Sequence, residues 1–340
     1  MNPLQVAVGV IKNPAGKILI SLRHASLHQG DLWEFPGGKI EATETARLAL
    51  ARELKEELNI TVTAATPLIT VNHHYPDLSV RLNVFLVEQF SGEAKSCVGQ
   101  PFKWVAPAEL EHYAFPAANR PIITAARLPH YYAILDDADP ALLLTNLQKI
   151  LNRGVKLIQA RLKNLPSAAV AQFVEQAYPL CNERQALLIM NSAVEYSAEV
   201  DGIHLTSRDL MALRPCSGQP LRLRSGQALT TRPENSKWLA ASCHNLEQLH
   251  HAQKIGVDFV TLAPVLATPT HPGAAALSWE RFSELVAKIN LPVYALGGMA
   301  ETSLTVAQHS GGQGIAAIRA FLEEPTANTV GANAFAPESE

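Results

Sequence analysis

From Tyr131 onward the sequence alternates short apolar runs with helical stretches, and it does so eight times. The runs are YYAILD (131–136), VKLIQARL (155–162), LLIMN (187–191), GIHL (202–205), WLAAS (238–242), DFVTLAPV (258–265), PVYALGG (292–298) and GIAAIRA (314–320). Runs of this length read as strands, and intervening segments such as SAAVAQFVEQAYPLC and LEQLHHAQKIG have helical spacing. Eight such units favour closure into a small α/β barrel, (β/α)8, with an open doubly wound sheet as the alternative.

The preceding residues keep a different rhythm. A chain of 340 residues exceeds one ordinary core, so two domains are expected. VAVGVI (6–11) and KILISLR (17–23) read as strands joined by NPAG, a hairpin signal, and SVRLNVFLVEQF (79–90) as another strand. Residues 38–60 carry the main helical pattern, and a short amphipathic helix within 116–128 ends at Pro129. The expected division is a first domain over 1–129, the barrel over 130–325 and a disordered tail over 326–340. One segment, RPCSGQPLRLRSGQALTTRPENSK (214–237), breaks the alternation and echoes SGQPL in SGQAL. It reads as a flexible surface insertion on the barrel face away from the chemistry.

Composition narrows the function classes. A net charge of −3 argues against a nucleic-acid-coating surface. No run of eighteen apolar residues predicts a membrane span, and no secretion signal is evident at the start. Cys97, Cys181, Cys216 and Cys243 lie far apart without a CxxC pair, as expected of reduced thiols in a cytoplasmic protein. Nothing in the sequence sets an oligomeric state.

The segment GKIEATETARLALARELKEELNI (38–60) raises a problem of charge, because Glu53, Glu56 and Glu57 share one broad side of a helix. Like charges at this spacing repel, so either solvent hides the repulsion or something positive sits among them. Thr43 is expected to cap the helix, Glu44 to occupy its first turn, and Ala46, Leu50, Leu54 and Leu58 to form the buried stripe. Arg52 borders the acidic side. In WEFPGGK before the helix, Gly37 and Gly38 permit a tight turn. Hard oxygen ligands of this kind suit Mg2+, with Mn2+ as a substitute.

The complete spacing, Gly38, Glu44, Arg52-Glu53-Leu54-x-Glu56-Glu57 and Ile60, resembles the Nudix box. Asn59 stands where that family usually has Gly, and Asn suits a left-handed helix cap. The resemblance extends over about 4–128 to the MutT-type branch, through Arg23, WEFPGGK, YPD (75–77), GQP (99–101) and FPAANRP (115–121). It implies an α/β/α sandwich and hydrolysis of oxidised dGTP to the monophosphate and pyrophosphate. It further implies a metal held by Gly37, Glu53, Glu56 and Glu57, with Glu44 and Arg52 in the catalytic set. Nucleotide contacts would come from Arg23, Glu34, Phe35, Gly38 and Asn119; a loop-capping role for Asn119 is the alternative. Val98 stands where the branch usually has a Glu before GQP.

Residues 131–323 resemble the thiamine phosphate synthase and thiazole tautomerase family through QARLK (159–163), MNS (190–192), GIHL, ASCHN (241–245), PVLATPTHPG (264–273), ALGGM (295–299) and GGQGIAAIRA (311–320). The resemblance implies ligand roles for Gln159, Arg161, Lys163, Asn191, Asp209, Ser242, His244, His271, Gly298 and Gly312. The glycines suit phosphate capture by backbone, with ordinary turns as the alternative. Ser192 replaces a usual Asp, and His271 a usual Lys. Both losses weaken a metal–pyrophosphate site, so the barrel is expected to be degenerate, with thiazole or thiamine phosphate as its ligand. The alternatives are a bifunctional thiamine-pathway enzyme and a barrel that senses a phosphate ligand without catalysis.

Overall fold

The computed structural model describes residues 3–26, 28–194, 199–214, 221–222, 228–229, 238–268, 273 and 275–323. His271, Cys216 and the expected tail lie outside the described residues.

In the N-terminal part, four strands form one mixed sheet in the order β4 (Gly37–Lys39), β1 (Leu4–Ile11), β6 (Ser79–Ser91), β5 (Thr61–His74). β1 runs parallel to β6 and antiparallel to β4. A second, antiparallel sheet holds β3 (Trp33–Glu34), β2 (Ile18–Leu22) and β7 (Phe102–Val105). Two helices, α1 (Ala46–Leu58) and α2 (Arg120–Arg127), complete an α/β/α sandwich. Strand alternation divides the core: Ala7 and Ile11 join α1, whereas Val8 and Val10 pack on the side that holds Ile122 and Ala125 of α2. Gly9 lets α1 approach, since a Cβ there would stand 3.2 Å from Leu50 and Leu54.

Several local expectations change. The NPAG segment does turn the chain, with Asn13 Oδ1 accepting from the N–H groups of Ala15 and Lys17. It does not make a regular hairpin, because after one bridge between Lys12 and Ile18 the strands enter different sheets. The cap of α1 is Thr45, whose hydroxyl accepts from Leu48 N–H, and not Thr43; Glu44 precedes the helix. Ala49, not Ala46, completes the buried stripe. At the other end Asn59 adopts φ 56°, as a left-handed cap requires. The long strand β5 escapes the sequence reading because register shifts on either side of Thr66 and Pro67 spoil its alternation.

The C-terminal part is a closed barrel of eight parallel strands. They are β8 (Tyr131–Asp136), β9 (Leu157–Arg161), β10 (Leu187–Asn191), β11 (Gly202–Leu205), β14 (Trp238–Cys243), β15 (Phe259–Leu262), β16 (Val293–Leu296) and β17 (Gly314–Ala317). Outside lie α3 (Pro140–Asn152), α4 (Ser167–Glu183), α5 (Ser207–Ala212), α6 (Leu246–Ile255), α7 (Ser278–Val286) and α8 (Leu304–His309). Tyr132, Phe259 and Tyr294 fill the barrel interior, and a larger apolar layer joins strands to helices. Within the 214–237 insertion, β12 (Leu221–Arg222) and β13 (Ala228–Leu229) pair as an antiparallel ribbon. No described helix is long and apolar enough to cross a membrane. Cys97, Cys181 and Cys243 are free thiols.

The cap geometry predicts the behaviour of position 59. Asn59→Gly should leave the unfolding free energy from urea titration within about 0.5 kcal/mol of the parent, since glycine accepts the same φ. Asn59→Val should lower it by about 1–2 kcal/mol, through backbone strain at a positive φ. Equal midpoints for both variants would show that the cap does not strain.

Candidate active sites

The acidic side of α1 is organised by a cation from its own chain. Arg52 Nη1 donates to Glu53 (2.9 Å) and Glu56 (3.3 Å), Nη2 to Glu44 (2.6 Å), and Nε to the other Glu44 oxygen (3.2 Å). The same guanidinium reaches back to the carbonyl of Lys39 on β4 (3.1 Å). Glu44 is held below the usual carboxylate range by Arg52 and by the N–H of Glu41. The helix is thereby fastened to the glycine turn before it.

That turn admits nothing larger than glycine. A Cβ on Gly38 would stand 2.1 Å from the Glu53 carboxyl carbon, and one on Gly37, at φ +146°, 2.1 Å from the Ala7 carbonyl oxygen. The close approach seats Glu53 on the turn and lets Gly37 N–H donate to the carboxylate of Glu57. Burial, with repulsion from Glu34 and Glu53, still pushes the Glu57 carboxyl up to about 7. Glu34 is also raised, because burial outweighs its ion pair with Arg23. Arg23 is steadied by the carbonyl of His28, at 3.1 and 2.9 Å.

Arg23, Glu34, Glu53 and Glu57 therefore share one electrostatic neighbourhood. Phe35 is buried and stacks on Phe115, with ring centroids 5.3 Å apart. Asn119 is 9% exposed at the start of α2 and makes no side-chain cap hydrogen bond to that helix. Two neighbours were missed in the sequence. Ser21 pairs directly with Glu34 across the sheet and buries a hydroxyl without a partner. Tyr75 bonds the backbone at Ala118 and packs on His28. Only the YPD motif hinted at Tyr75. Val98 is exposed, on a loop tied to the Glu57 carbonyl through Cys97 N–H, and supplies no carboxylate there.

Hard oxygen donors that repel one another fit a divalent cation. Glu53, Glu56 and Glu57, with Gly37, would hold it. They are not gathered in advance, since no cluster of three or more His, Cys, Asp or Glu side chains among the described residues surrounds one point. Arg52 occupies two of the carboxylates.

The barrel carries a cavity of about 690 Å³ at the carboxyl ends of its strands, as expected for this architecture. Gln159, Arg161, Lys163, Asn191, Ser242, His244 and Gly298 line it. Arg161 is paired with Asp136, and His244 Nδ1 lies 2.8 Å from the Ala263 carbonyl. Asp209 does not line the cavity: its Oδ2 accepts from Ser192 (2.5 Å) and Thr206 (2.7 Å). Gly312 is likewise misplaced. It precedes β17, at the opposite end of the barrel, and its missing Cβ makes room for Phe282 and the Ala307 carbonyl. The residues after β17, such as Arg319, reach the cavity instead.

Beneath the cavity runs a polar chain missed in the sequence because GIHL reads as an ordinary strand. Gln159 Nε2 donates to the Tyr132 hydroxyl (3.3 Å), which is hydrogen-bonded to His204 Nδ1 (3.0 Å). His204 Nε2 is in turn hydrogen-bonded to Ser242 Oγ (2.8 Å), at the cavity wall. Thr261 adds a buried hydroxyl without a partner in the same wall. Burial, then the charges of Arg161 and Lys163, push His204 down to about 3.

His204 therefore stays neutral in the fold but titrates near 6.5 when unfolded. The unfolded chain binds the extra proton, so stability present above pH 6.5 falls as the pH drops toward 3. The slope is about 1.4 kcal/mol per pH unit. Between pH 7 and pH 5 the parent should lose up to about 2 kcal/mol more than His204→Gln in urea unfolding. Identical losses would show that His204 is protonated in the fold.

Comparison with known proteins agrees with both halves. Residues 131–321 match the family described as thiamine monophosphate synthase, and residues 7–125 match the NUDIX domain. Over 199 residues the chain is 32% identical to a thiamine-phosphate synthase-type protein of Aquifex aeolicus (strain VF5), covering 58% of this chain and 99% of that protein. Over 123 residues it is 41% identical to the 8-oxo-dGTP diphosphatase of Escherichia coli (strain K12), covering 36% of this chain and 95% of that protein. The CTP pyrophosphohydrolase of the same organism is 34% identical over 125 residues, which cover 37% of this chain and 92% of that protein. The chain thus belongs to two families at once: it is a Nudix protein homologous to 8-oxo-dGTP diphosphatases in its first part, and a member of the thiamine monophosphate synthase family in its barrel.

Proposed function

We propose that the chain comprises a Nudix domain over 1–129 and a barrel domain over 130–325, and that the first hydrolyses oxidised purine nucleoside triphosphates, 8-oxo-dGTP above all. Water attacks phosphorus, and the products are the nucleoside monophosphate and pyrophosphate. The observation that carries this reading is the joining of the α1 carboxylates to the Arg23–Glu34 pair within one buried neighbourhood. The 41% identity to an 8-oxo-dGTP diphosphatase supports the same substrate.

Mg2+, or Mn2+ in its place, would neutralise phosphate oxygens when held by Glu53, Glu56, Glu57 and the Gly37 carbonyl. The chain's own residues do the rest. Arg52 keeps Glu53 and Glu56 on the substrate side of α1 and fixes the turn at Lys39. Glu57, whose carboxyl burial raises and which Arg52 does not pair, is the group to orient or deprotonate the water, given that Val98 offers none. Phe35 and Phe115 wall the base pocket, and the uncommitted amide of Asn119 reads a purine edge through one donor and one acceptor. The reaction removes a damaged nucleotide before it reaches DNA, and needs no basic surface to do so.

The barrel is read as a binder of thiazole or thiamine phosphate, with Arg161, Lys163 and the Gly297–Gly298 turn toward phosphate. Ser192 and Thr206 occupy the carboxylate of Asp209, so little remains to hold a metal–pyrophosphate group.

With Mg2+, pyrophosphate release from 8-oxo-dGTP should exceed that from CTP or thiamine diphosphate at least about tenfold in kcat/KM. Chelation should abolish it and Mg2+ restore it. Preference for CTP would favour the second relative's chemistry, and inactivity on 8-oxo-dGTP would refute the reading. Glu57→Gln should lower kcat at least about a hundredfold; near-normal turnover would misplace the carboxylate. The full chain given a pyrimidine diphosphate and thiazole phosphate should form no thiamine phosphate at a synthase-like rate, and its formation would overturn the degenerate barrel.

A further inference from the structure

The two halves meet at the amino-terminal ends of the barrel strands, the end away from the cavity. Leu128, directly after α2, is buried in the barrel's interior cluster with Tyr132, Phe259 and Tyr294. Gln313, the residue before β17, is fully buried, and its Nε2 donates to the carbonyls of Ala125 (3.1 Å) and Leu128 (3.0 Å). The Tyr294 hydroxyl donates to the Pro129 carbonyl, and the Arg127 guanidinium lies 4.8 Å over the Trp238 ring. Farther out, Asn72 N–H donates to Asn290 Oδ1 (2.9 Å) while Asn290 Nδ2 donates to the Asn72 carbonyl (2.8 Å).

The contacts of Gln313, Tyr294 and Trp238 converge on one short helix and the residues directly after it. The last carbonyls of any helix lack partners within it, and in α2 the barrel supplies partners there. A helix of eight residues has little stability of its own, so packing decides where it stands. Gln313 buries its Oε1 without a partner, a cost that only its two donated bonds offset. The other end of α2 begins at Asn119.

We propose that the closed end of the barrel is a clamp on α2 that fixes the position of Asn119, with Gln313 as its positioning residue. The inference rests on reading Asn119 as a nucleotide contact. It gives the barrel a task in the hydrolase that needs no barrel ligand and no barrel catalysis.

The test uses the full chain and the variant Gln313→Met, which keeps the length and removes both donors. Hydrogen exchange should quicken at residues 120–127 and stay unchanged across α1. KM for 8-oxo-dGTP should rise about fivefold, with kcat within about twofold of the parent. Asn119→Ala should raise KM as well, and adding Gln313→Met to it should give no further rise. Unchanged exchange in α2, or fully additive effects on KM, would overturn the clamp. Faster exchange in α2 beside a normal KM for Asn119→Ala would support the clamp and overturn the nucleotide role of Asn119 instead. If Gln313→Met fails to fold, Trp238→Leu, which removes the platform under Arg127, should give the same pattern at smaller size.

Discussion

Glu44, Glu53 and Glu56 can crowd one side of the Nudix helix because Arg52 stands among them and bonds all three. An exposed pair of this kind is worth little by itself. Its importance here is geometric, since the fourth partner is the Lys39 carbonyl, on β4, the short strand that also holds Gly37 and Gly38. Helix and turn are locked in one register, and that register makes Gly38 yield space to the Glu53 carboxylate. Arg52 leaves Glu57 to other forces, and that carboxylate is raised by burial against Glu34 and Glu53. One side of α1 thus contains an ion-paired part that builds the site and an unrelieved part that wants a cation.

Much of this was legible because it depends on spacing along the chain. The barrel strands alternate with helices so regularly that their existence follows from apolar periodicity, as does the acidic side of α1. The remainder depends on contacts between residues far apart in sequence. Nothing local marks His204, whose partners are Tyr132 of β8, across the barrel interior, and Ser242 of the adjacent β14. Thr43 and Thr45 are equally good caps as residues; the tie between Glu44 and Arg52 favours Thr45 by holding Glu44 outside the helix. Gly312 shows the converse error, for a glycine beside a strand looks the same whether it precedes or follows it. Only the direction of the strand decides which end of the barrel it serves.

The departures from family patterns have structural consequences in the barrel. Ser192 does more than omit a carboxylate: its hydroxyl donates to Asp209, and with Thr206 it satisfies one oxygen of the remaining acid. The pair is a settled polar cluster, not an open cation site with one ligand missing. The adjacent cavity wall is differently disposed. There the chain from Gln159 ends at the Ser242 hydroxyl, and Thr261 adds a hydroxyl with no partner, so a polar ligand would find unmet hydrogen-bonding capacity. The Asp209 cluster and the unmet hydroxyls of the cavity wall are therefore separate features of this fold.

The place of fusion explains how both sites coexist. A (β/α)8 barrel has one end for chemistry and one for stability. Here the stability end receives Leu128, Asn72 and Arg127 from the Nudix side, the last two against the Asn290 amide and the Trp238 face, while the cavity lies at the other. Tyr132, Phe259 and Tyr294 fill the interior between them, so no passage links cavity and Nudix site through the barrel axis. Any influence of one site on the other must travel as displacement of packed side chains, and the shortest covalent route is the few residues from Asn119 through α2 to Leu128. A stiff connection suits that route better than a flexible linker, because a linker would absorb the displacement before it reached the nucleotide pocket.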